Sequence, residues 1–152
     1  MSQYLTFTLN SENYGVPIET VREINRLTEI TPVPKTPDFV KGVMNLRGKI
    51  IPVINLRIKF SIAEIPPTRD TCIIVIDTNQ GQVGMIVDSV KEVVNLGQEQ
   101  IDPPPPLGNP IVQEYVRGLG KLEEKVIILV DVTTTLAHEP VNQITEENKN
   151  AA

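Results

Sequence analysis

The chain carries its own sequence twice. Tyr4-Leu5-Thr6-Phe7 aligns with Ile73-Ile74-Val75-Ile76, Tyr14-Gly15-Val16 with Val83-Gly84-Met85, and Val21-Arg22-Glu23-Ile24 with Val90-Lys91-Glu92-Val93. Further on, Val40-Lys41-Gly42-Val43 aligns with Val116-Arg117-Gly118-Leu119, and Ile50 to Leu56 with Val126 to Val132. A repeat acts as an internal control. What both copies share is demanded by the fold, and what one copy alone carries is a candidate for function. Each copy is roughly 60 residues, near the lower limit for an independent core, so the two are expected to pack together within the 152-residue chain.

Apolar residues make up 40% of the chain but aromatics only 4%. The core must therefore be built from Ile, Val and Leu, a mix that favours strands. Gln3 to Leu9 alternates, with Leu5, Phe7 and Leu9 on one face and Tyr4, Thr6 and Thr8 on the other, which predicts a strand covered on one side. Asn10 to Asn13 is turn chemistry leading into Tyr14–Pro17, and Gln80-Gly81 marks a second hairpin. Ile50–Ile54, Cys72–Ile76 and Val126–Val130 are apolar throughout, as strands covered on both faces are. Three such runs predict two closed barrels packed on each other. Ile18, Val21, Ile24 and Leu27 recur every three residues, as do Val87, Val90 and Val93. That period fits neither helix nor strand, and predicts a short helical turn at Ile18–Thr20 with a strand from Val21. Asn55–Phe60 and Val132–Ala137 are candidate short helices. The first block of one copy and the second block of the other are as able to close a barrel as two blocks of one copy, so the sequence leaves the pairing open.

Proline-rich connectors sit at matching places, Thr31 to Pro37 and Asp102 to Pro110; the second is longer by about seven residues. Such stretches are stiff and extended. The globular unit is expected over residues 1–138, with copies at about 4–60 and 73–136, followed by a polar tail over 139–152. The formal net charge of −5 argues against nonspecific binding to nucleic acid or anionic membranes. No run of residues reads as a secretion signal or a membrane span, and one cysteine allows no internal disulfide. A cytoplasmic protein is expected. Between Asp38 and Glu64 there is no acid but Lys41, Arg47, Lys49, Arg57 and Lys59 are present. This block reads either as a solvated rim or as a contact face for an acidic partner.

The residues point away from catalysis. The lone histidine, His138, lies near the tail, while Cys72 sits in an apolar run and reads as structural. Ser11, Ser61 and Ser89 lack a nucleophile-elbow context, and neither a phosphate-binding glycine loop nor metal-ligand spacing occurs. No cofactor is expected. A single-strand-binding barrel would need stacking aromatics in a basic groove, and the basic stretch 41–59 contains none.

A binding module remains. Gly15 with Gly84, and Gly42 with Gly118, are shared and read as turns or close backbone approaches. Glu23 has a counterpart in Glu92. The tip Arg47-Gly48, however, aligns with Glu123-Glu124, and Pro52 aligns with Ile128. Pro52 predicts a sheet edge or bulge beside that tip. Arg47 is the most asymmetric charge at a matched site, suited to bidentate pairing with Glu23 or with an acid on a partner.

The stretch from Val40 to Leu56, through Asn45-Leu46-Arg47-Gly48, closely resembles the signature of CheW-like domains. So do Val83–Val90 and Ile127–Asp131. The similarity runs from about Tyr4 to Leu136. The resemblance implies an all-β fold of two packed, SH3-like five-stranded barrels with short helical turns. It further implies a non-catalytic adaptor of bacterial chemotaxis that joins the cytoplasmic tips of methyl-accepting chemoreceptors to the regulatory domain of the histidine kinase CheA. Such a protein is cytoplasmic and recruited to membrane receptor arrays without inserting into the membrane. Val21, Glu23 and Arg47 match positions implicated in receptor coupling, and Gly42, Gly84 and Val93 match positions that affect kinase coupling. The alternatives are a regulatory docking domain of a larger signalling kinase, against which the start at Met1-Ser2 and the polar end speak, and a nucleic-acid-binding small barrel.

Overall fold

The structure, a computed structural model, describes residues 1–105 and 115–132. Eleven strands are present among them: β1 (Ser2–Leu9), β2 (Glu12–Pro17), β3 (Val21–Arg26), β4 (Val40–Leu46), β5 (Lys49–Asn55), β6 (Cys72–Thr78), β7 (Gly81–Val87), β8 (Ser89–Leu96), β9 (Ile101–Asp102), β10 (Val116–Leu122) and β11 (Lys125–Val130). One helical turn, α1 (Leu56–Lys59), follows β5, and 3-10 turns occupy Ile18–Thr20 and Gln98–Gln100. The candidate helix at Val132–Ala137, His138, the 139–152 tail and most of the second proline connector lie outside the described residues.

The strands form two sheets, ordered β8-β1-β2-β11-β10-β9 and β3-β6-β7-β5-β4. The pairing left open by the sequence is thus resolved: the copies exchange their first hairpins. Hairpin β1–β2 of copy one joins β8, β10 and β11 of copy two. Hairpin β6–β7 of copy two joins β3, β4 and β5 of copy one. The exchanged hairpin docks through a parallel seam in each sheet, β2 on β11 and β7 on β5.

Each sheet curls around its own core. Met44, Ile51, Val53, Ile73 and Val75 fill one barrel, and Val94, Leu96, Ile127 and Leu129 the other. A third, larger cluster lies between the barrels, with Leu5, Phe7, Ile54, Leu56, Ile74, Ile76, Met85, Val130 and Val132 among its members. Five of the six aromatic residues gather near it. Phe7, Tyr14 and Phe60 stack in sequence at centroid spacings of 5.8 and 5.9 Å, and Tyr115 lies tilted against Phe60 at 5.3 Å. The buried Lys59 ammonium lies 4.0 Å from the Phe39 ring centroid and 5.4 Å from that of Tyr115, a cation–π arrangement that offsets part of its desolvation.

Several expectations need correction. The Gln3–Leu9 strand is covered on both faces: Leu5, Phe7 and Leu9 face the shared core, while Tyr4 packs into a barrel and Thr6 is buried. Of the three uniformly apolar runs only Ile73–Ile76 is buried throughout, whereas Ile50 and Val126, at matching positions, are 60% and 55% exposed. Both lie at the outer ends of their strands, beyond the reach of the facing sheet. The period of three also has a cause. Arg22 is an extra residue between the pairs Val21↔Ile76 and Glu23↔Val75, and β8 carries the matching irregularity opposite Thr6. An inserted bulge residue turns a period of two into a spacing of three.

Pro52 is neither on an edge strand nor in a bulge, since β5 lies between β7 and β4. It pairs with Val43, whose N–H and C=O both bond to Thr31 instead of to β5 (2.9 Å each), and the ladder to β7 starts only at Val53. The missing N–H of Pro52 therefore breaks no ladder bond. The bulge lies in β4, where Lys41 is extra between Val40↔Ile54 and Gly42↔Val53, and Arg117 is extra at the matching place in β10.

The proline connectors cover these edges. Thr31 bridges to Val43 on β4, and β9 pairs with β10, adding a two-residue sixth strand to a sheet expected to have five. Gly42 makes the first contact possible: at φ 141°, a Cβ would lie 2.0 Å from the Thr31 carbonyl oxygen. At Gly84, on the parallel seam, a Cβ would meet the buried Ile73 Cγ2 at 2.9 Å. Gly42→Ala should therefore cost roughly 2–4 kcal/mol and Gly84→Ala roughly 1–3 kcal/mol, with Gly42→Ala the larger loss. Urea denaturation of the two variants tests the order; equal stability to the parent at Gly42 would contradict the close approach.

Candidate functional site

The tip of the β4–β5 hairpin is a two-residue turn. Arg47 (φ 52°) and Gly48 (φ 88°) are both left-handed, the backbone that matches the twist of a tight hairpin. The Asn45 side-chain oxygen accepts the Gly48 N–H at 2.7 Å and holds the turn. From it Arg47 reaches across to β3, donating from Nη1 to Glu23 Oε1 (3.1 Å) and from Nη2 to Oε2. The pair spans the gap between the two end strands of its sheet, β3 and the β4–β5 hairpin. It lies in solvent, and the Arg47 hydrogen bonds hold the Glu23 carboxyl below the usual glutamate range.

Of the expected receptor-coupling residues Glu23 and Arg47 are brought together, whereas the Val21 side chain turns to the other face of the strand and packs on the shared core. Val21 and Glu23 share β3, separated by the bulge residue Arg22. The expected kinase-coupling residues are not brought together. Gly42 and Gly84 lie in one cross-strand row, Gly42↔Val53↔Gly84↔Val75↔Glu23, inside one sheet. Val93 lies on β8 in the other sheet, 45% exposed. Its counterpart Ile24 on β3 is 46% exposed. Both strands end their sheets, and both side chains point to the face that packs the shared core, since Ile24 pairs with Ile74 and Val93 with Leu5. The centre of the seam between the barrels is filled by that core.

Apart from the exposed Lys49, the basic block is no free cationic face. Lys41 bonds Glu64 at 2.7 Å, Arg47 bonds Glu23, Lys59 is buried against rings, and Arg57 is buried against Asp88. Cys72 is half-buried in β6, and burial pushes its thiol up in pKa.

The Arg57–Asp88 pair escaped the sequence reading. Arg57 donates from Nε to Asp88 Oδ1 and from Nη2 to Oδ2, both at 2.8 Å, and from Nη1 to the Ala63 carbonyl at 2.7 Å. Asp88 also accepts the Asn10 N–H at 2.8 Å. The pair thereby ties α1, the loop after it, the β7–β8 corner and the β1–β2 turn together. The repeat held a signal for the arginine, since Arg57 falls opposite Thr133 in the other copy, an asymmetry of the kind that singled out Arg47, while Asp88 opposite Glu19 is an acid in both copies.

Fold and site define a double small-barrel module with exposed apolar residues on its edge strands. The family model of the CheW-like domain matches residues 3–139, and the chain belongs to that family. It is 43% identical over 137 residues to the chemotaxis protein CheW of Klebsiella aerogenes, covering 90% of this chain and 82% of that protein. It is 33% identical to the chemotaxis protein CheW of Helicobacter pylori, covering 88% and 81%. Among solved structures, the scaffolding protein TtCheW from Thermoanaerobacter tengcongensis superimposes with a TM-score of 0.80 at 38% identity, over 86% of this chain and 88% of that one.

Hydrogen bonds from Arg57 are the main cause holding the Asp88 carboxyl below the usual aspartate range, against an opposing effect of burial. A depressed pKa means stability that is present above about pH 4 and lost as pH falls through the lower folded value. Asp88→Asn leaves the buried guanidinium without its counter-charge and should cost about 3 kcal/mol at neutral pH. It should also flatten the acid limb of the stability profile below about pH 4. Denaturation curves from pH 2 to 7 check both; an unchanged acid limb would contradict the assignment.

Proposed function

We propose that this chain is a non-catalytic adaptor of chemotaxis signalling, joining the cytoplasmic tips of methyl-accepting chemoreceptors to the regulatory domain of the histidine kinase CheA. The observation that carries the reading is the matched pair Ile24 and Val93. Each is an exposed β-branched residue on an end strand of its sheet. Unpaired strand edges with exposed apolar side chains favour association with another chain, and two equivalent edges give one molecule two places to dock. Family membership and the naming of one relative as a scaffolding protein support the same reading.

In this account Val21, Glu23 and Arg47 form the receptor contact. The bonded guanidinium and carboxylate present a fixed polar rim, and Val21, half-buried on the other face of the same edge strand, adds an apolar contact there. A receptor tip built from helices would offer a complementary apolar stripe. Val93 contacts the kinase directly, whereas Gly42 and Gly84 affect coupling through the packing of their sheet. No helix among the described residues is long and apolar enough to cross a membrane, so placement at receptor arrays is assigned to protein contacts.

Pull-down of the chain with a receptor-tip fragment and with the kinase regulatory domain tests this. The parent should retain both. Arg47→Glu should keep its fold and lose receptor binding at least tenfold, while Val93→Asp should lose kinase binding. A parent that retains neither fragment would overturn the adaptor reading. A folded Arg47→Glu chain that binds like the parent would remove Arg47 from the contact.

A further inference from the structure

The two barrels share one plan, but their mouths differ. In one, Arg47 from the hairpin tip lies on Glu23 of the end strand. At the matching place in the other barrel stand Glu92 on β8, the counterpart of Glu23, and Glu123 at the β10–β11 tip, the counterpart of Arg47. Where the first mouth holds a guanidinium, the second holds a cavity of about 200 Å³ whose lining includes both carboxylate residues.

The floor of this cavity is apolar, made by Val94, Leu122 and Ile127. Its Glu92 side is fixed from below. The Thr6 hydroxyl donates to the Glu92 carbonyl at 2.7 Å, and the Glu92 N–H donates to Thr6 Oγ1 at 3.1 Å. Lys91 and Lys125 also line the cavity. Among the described residues, no ion pair joins either lysine to Glu92 or Glu123. Two carboxylates thus border one small cavity that has an apolar floor and no internal guanidinium.

We infer that the mouth of the barrel containing β8, β10 and β11 is a socket for an arginine side chain presented by a partner protein. The first barrel supplies the template, a bidentate guanidinium on the equivalent glutamate. A planar guanidinium can bond Glu92 and meet Glu123 at once, and its methylene stem would cover Val94 and Leu122. A lysine ammonium offers a point charge without the planar fork, and the Lys91 and Lys125 of the lining pair with neither glutamate. The two barrel mouths are therefore chemically unequal: one is satisfied from within and the other takes its cation from outside. This deepens the adaptor reading by naming what one docking surface accepts. The test uses this chain alone with short peptides, so its failure leaves that reading standing.

The experiment is an NMR titration of the ¹⁵N-labelled full chain with the peptide acetyl-Gly-Ser-Arg-Ser-Gly-amide, and with versions carrying citrulline or lysine in place of arginine. The arginine peptide should shift the amides of Glu92, Val94, Leu122 and Glu123 saturably. The citrulline peptide should leave them unmoved, and the lysine peptide should bind at least threefold more weakly. Glu92→Gln should weaken arginine binding at least fivefold with the rest of the spectrum unchanged. Glu123→Arg should fill the socket from within, raising the melting temperature and abolishing the response. Equal response to citrulline or lysine, shifts confined elsewhere, no response, or unchanged binding by Glu92→Gln would each overturn the proposal. So would a folded Glu123→Arg chain that keeps both the parent melting temperature and the peptide response.

Discussion

The structure depends on the core shared by the two barrels. Phe7, Ile74, Ile76 and Met85 are fully buried there, and all four come from the exchanged hairpins β1–β2 and β6–β7. Each hairpin therefore faces two ways. One side fills the barrel it has joined, and the other faces the opposite barrel. Copy one without copy two would retain β3, β4 and β5 but lack the central hairpin that joins them. Near 60 residues, such a fragment has too little internal surface to compensate.

This arrangement decides which surfaces are left for partners. The β4 edge is covered by Thr31, and β10 is covered by β9. The opposite ends of the sheets, β3 and β8, stay uncovered by any further strand among the described residues. Bulges fall on these two strands, as they do on β4 and β10, and bend the edge. The Arg57–Asp88 pair braces the structure from the side, holding the hairpin turn at Asn10 to the β7–β8 corner. Such a molecule offers rigid edges in a fixed relation to each other, which suits a scaffold.

Much of this was legible in the sequence. The repeat gave the strand plan, the hairpin turns, the 3-10 turn at Ile18–Thr20 and the shared glycines at close approaches. Asymmetry plus chemistry offered Arg47 two partners, Glu23 or an acid on another protein, and the fold brings Glu23 to it. Other features were hidden for physical reasons. Hairpin exchange leaves no local mark, because either pairing buries the same residues. Ile50 and Val126 look like core because composition records hydrophobicity, whereas burial depends on how far the facing sheet extends. Pro52 in an interior strand is readable only once the bonds of Val43 are known. Lys41, Arg57 and Lys59 look like a basic face in sequence, since their partners Glu64, Asp88 and Phe39 with Tyr115 are brought to them by the fold.

The central claim is that neither sequence copy closes a barrel by itself. It is tested by cutting the chain in the loop between α1 and β6 and following residues 1–66 and 67–152, separately and mixed, by circular dichroism and NMR. The exchange predicts that each fragment alone lacks dispersed amide signals. It also predicts that an equimolar mixture recovers the spectrum of the intact chain. A fragment that folds alone as a stable monomer with dispersed signals would contradict it.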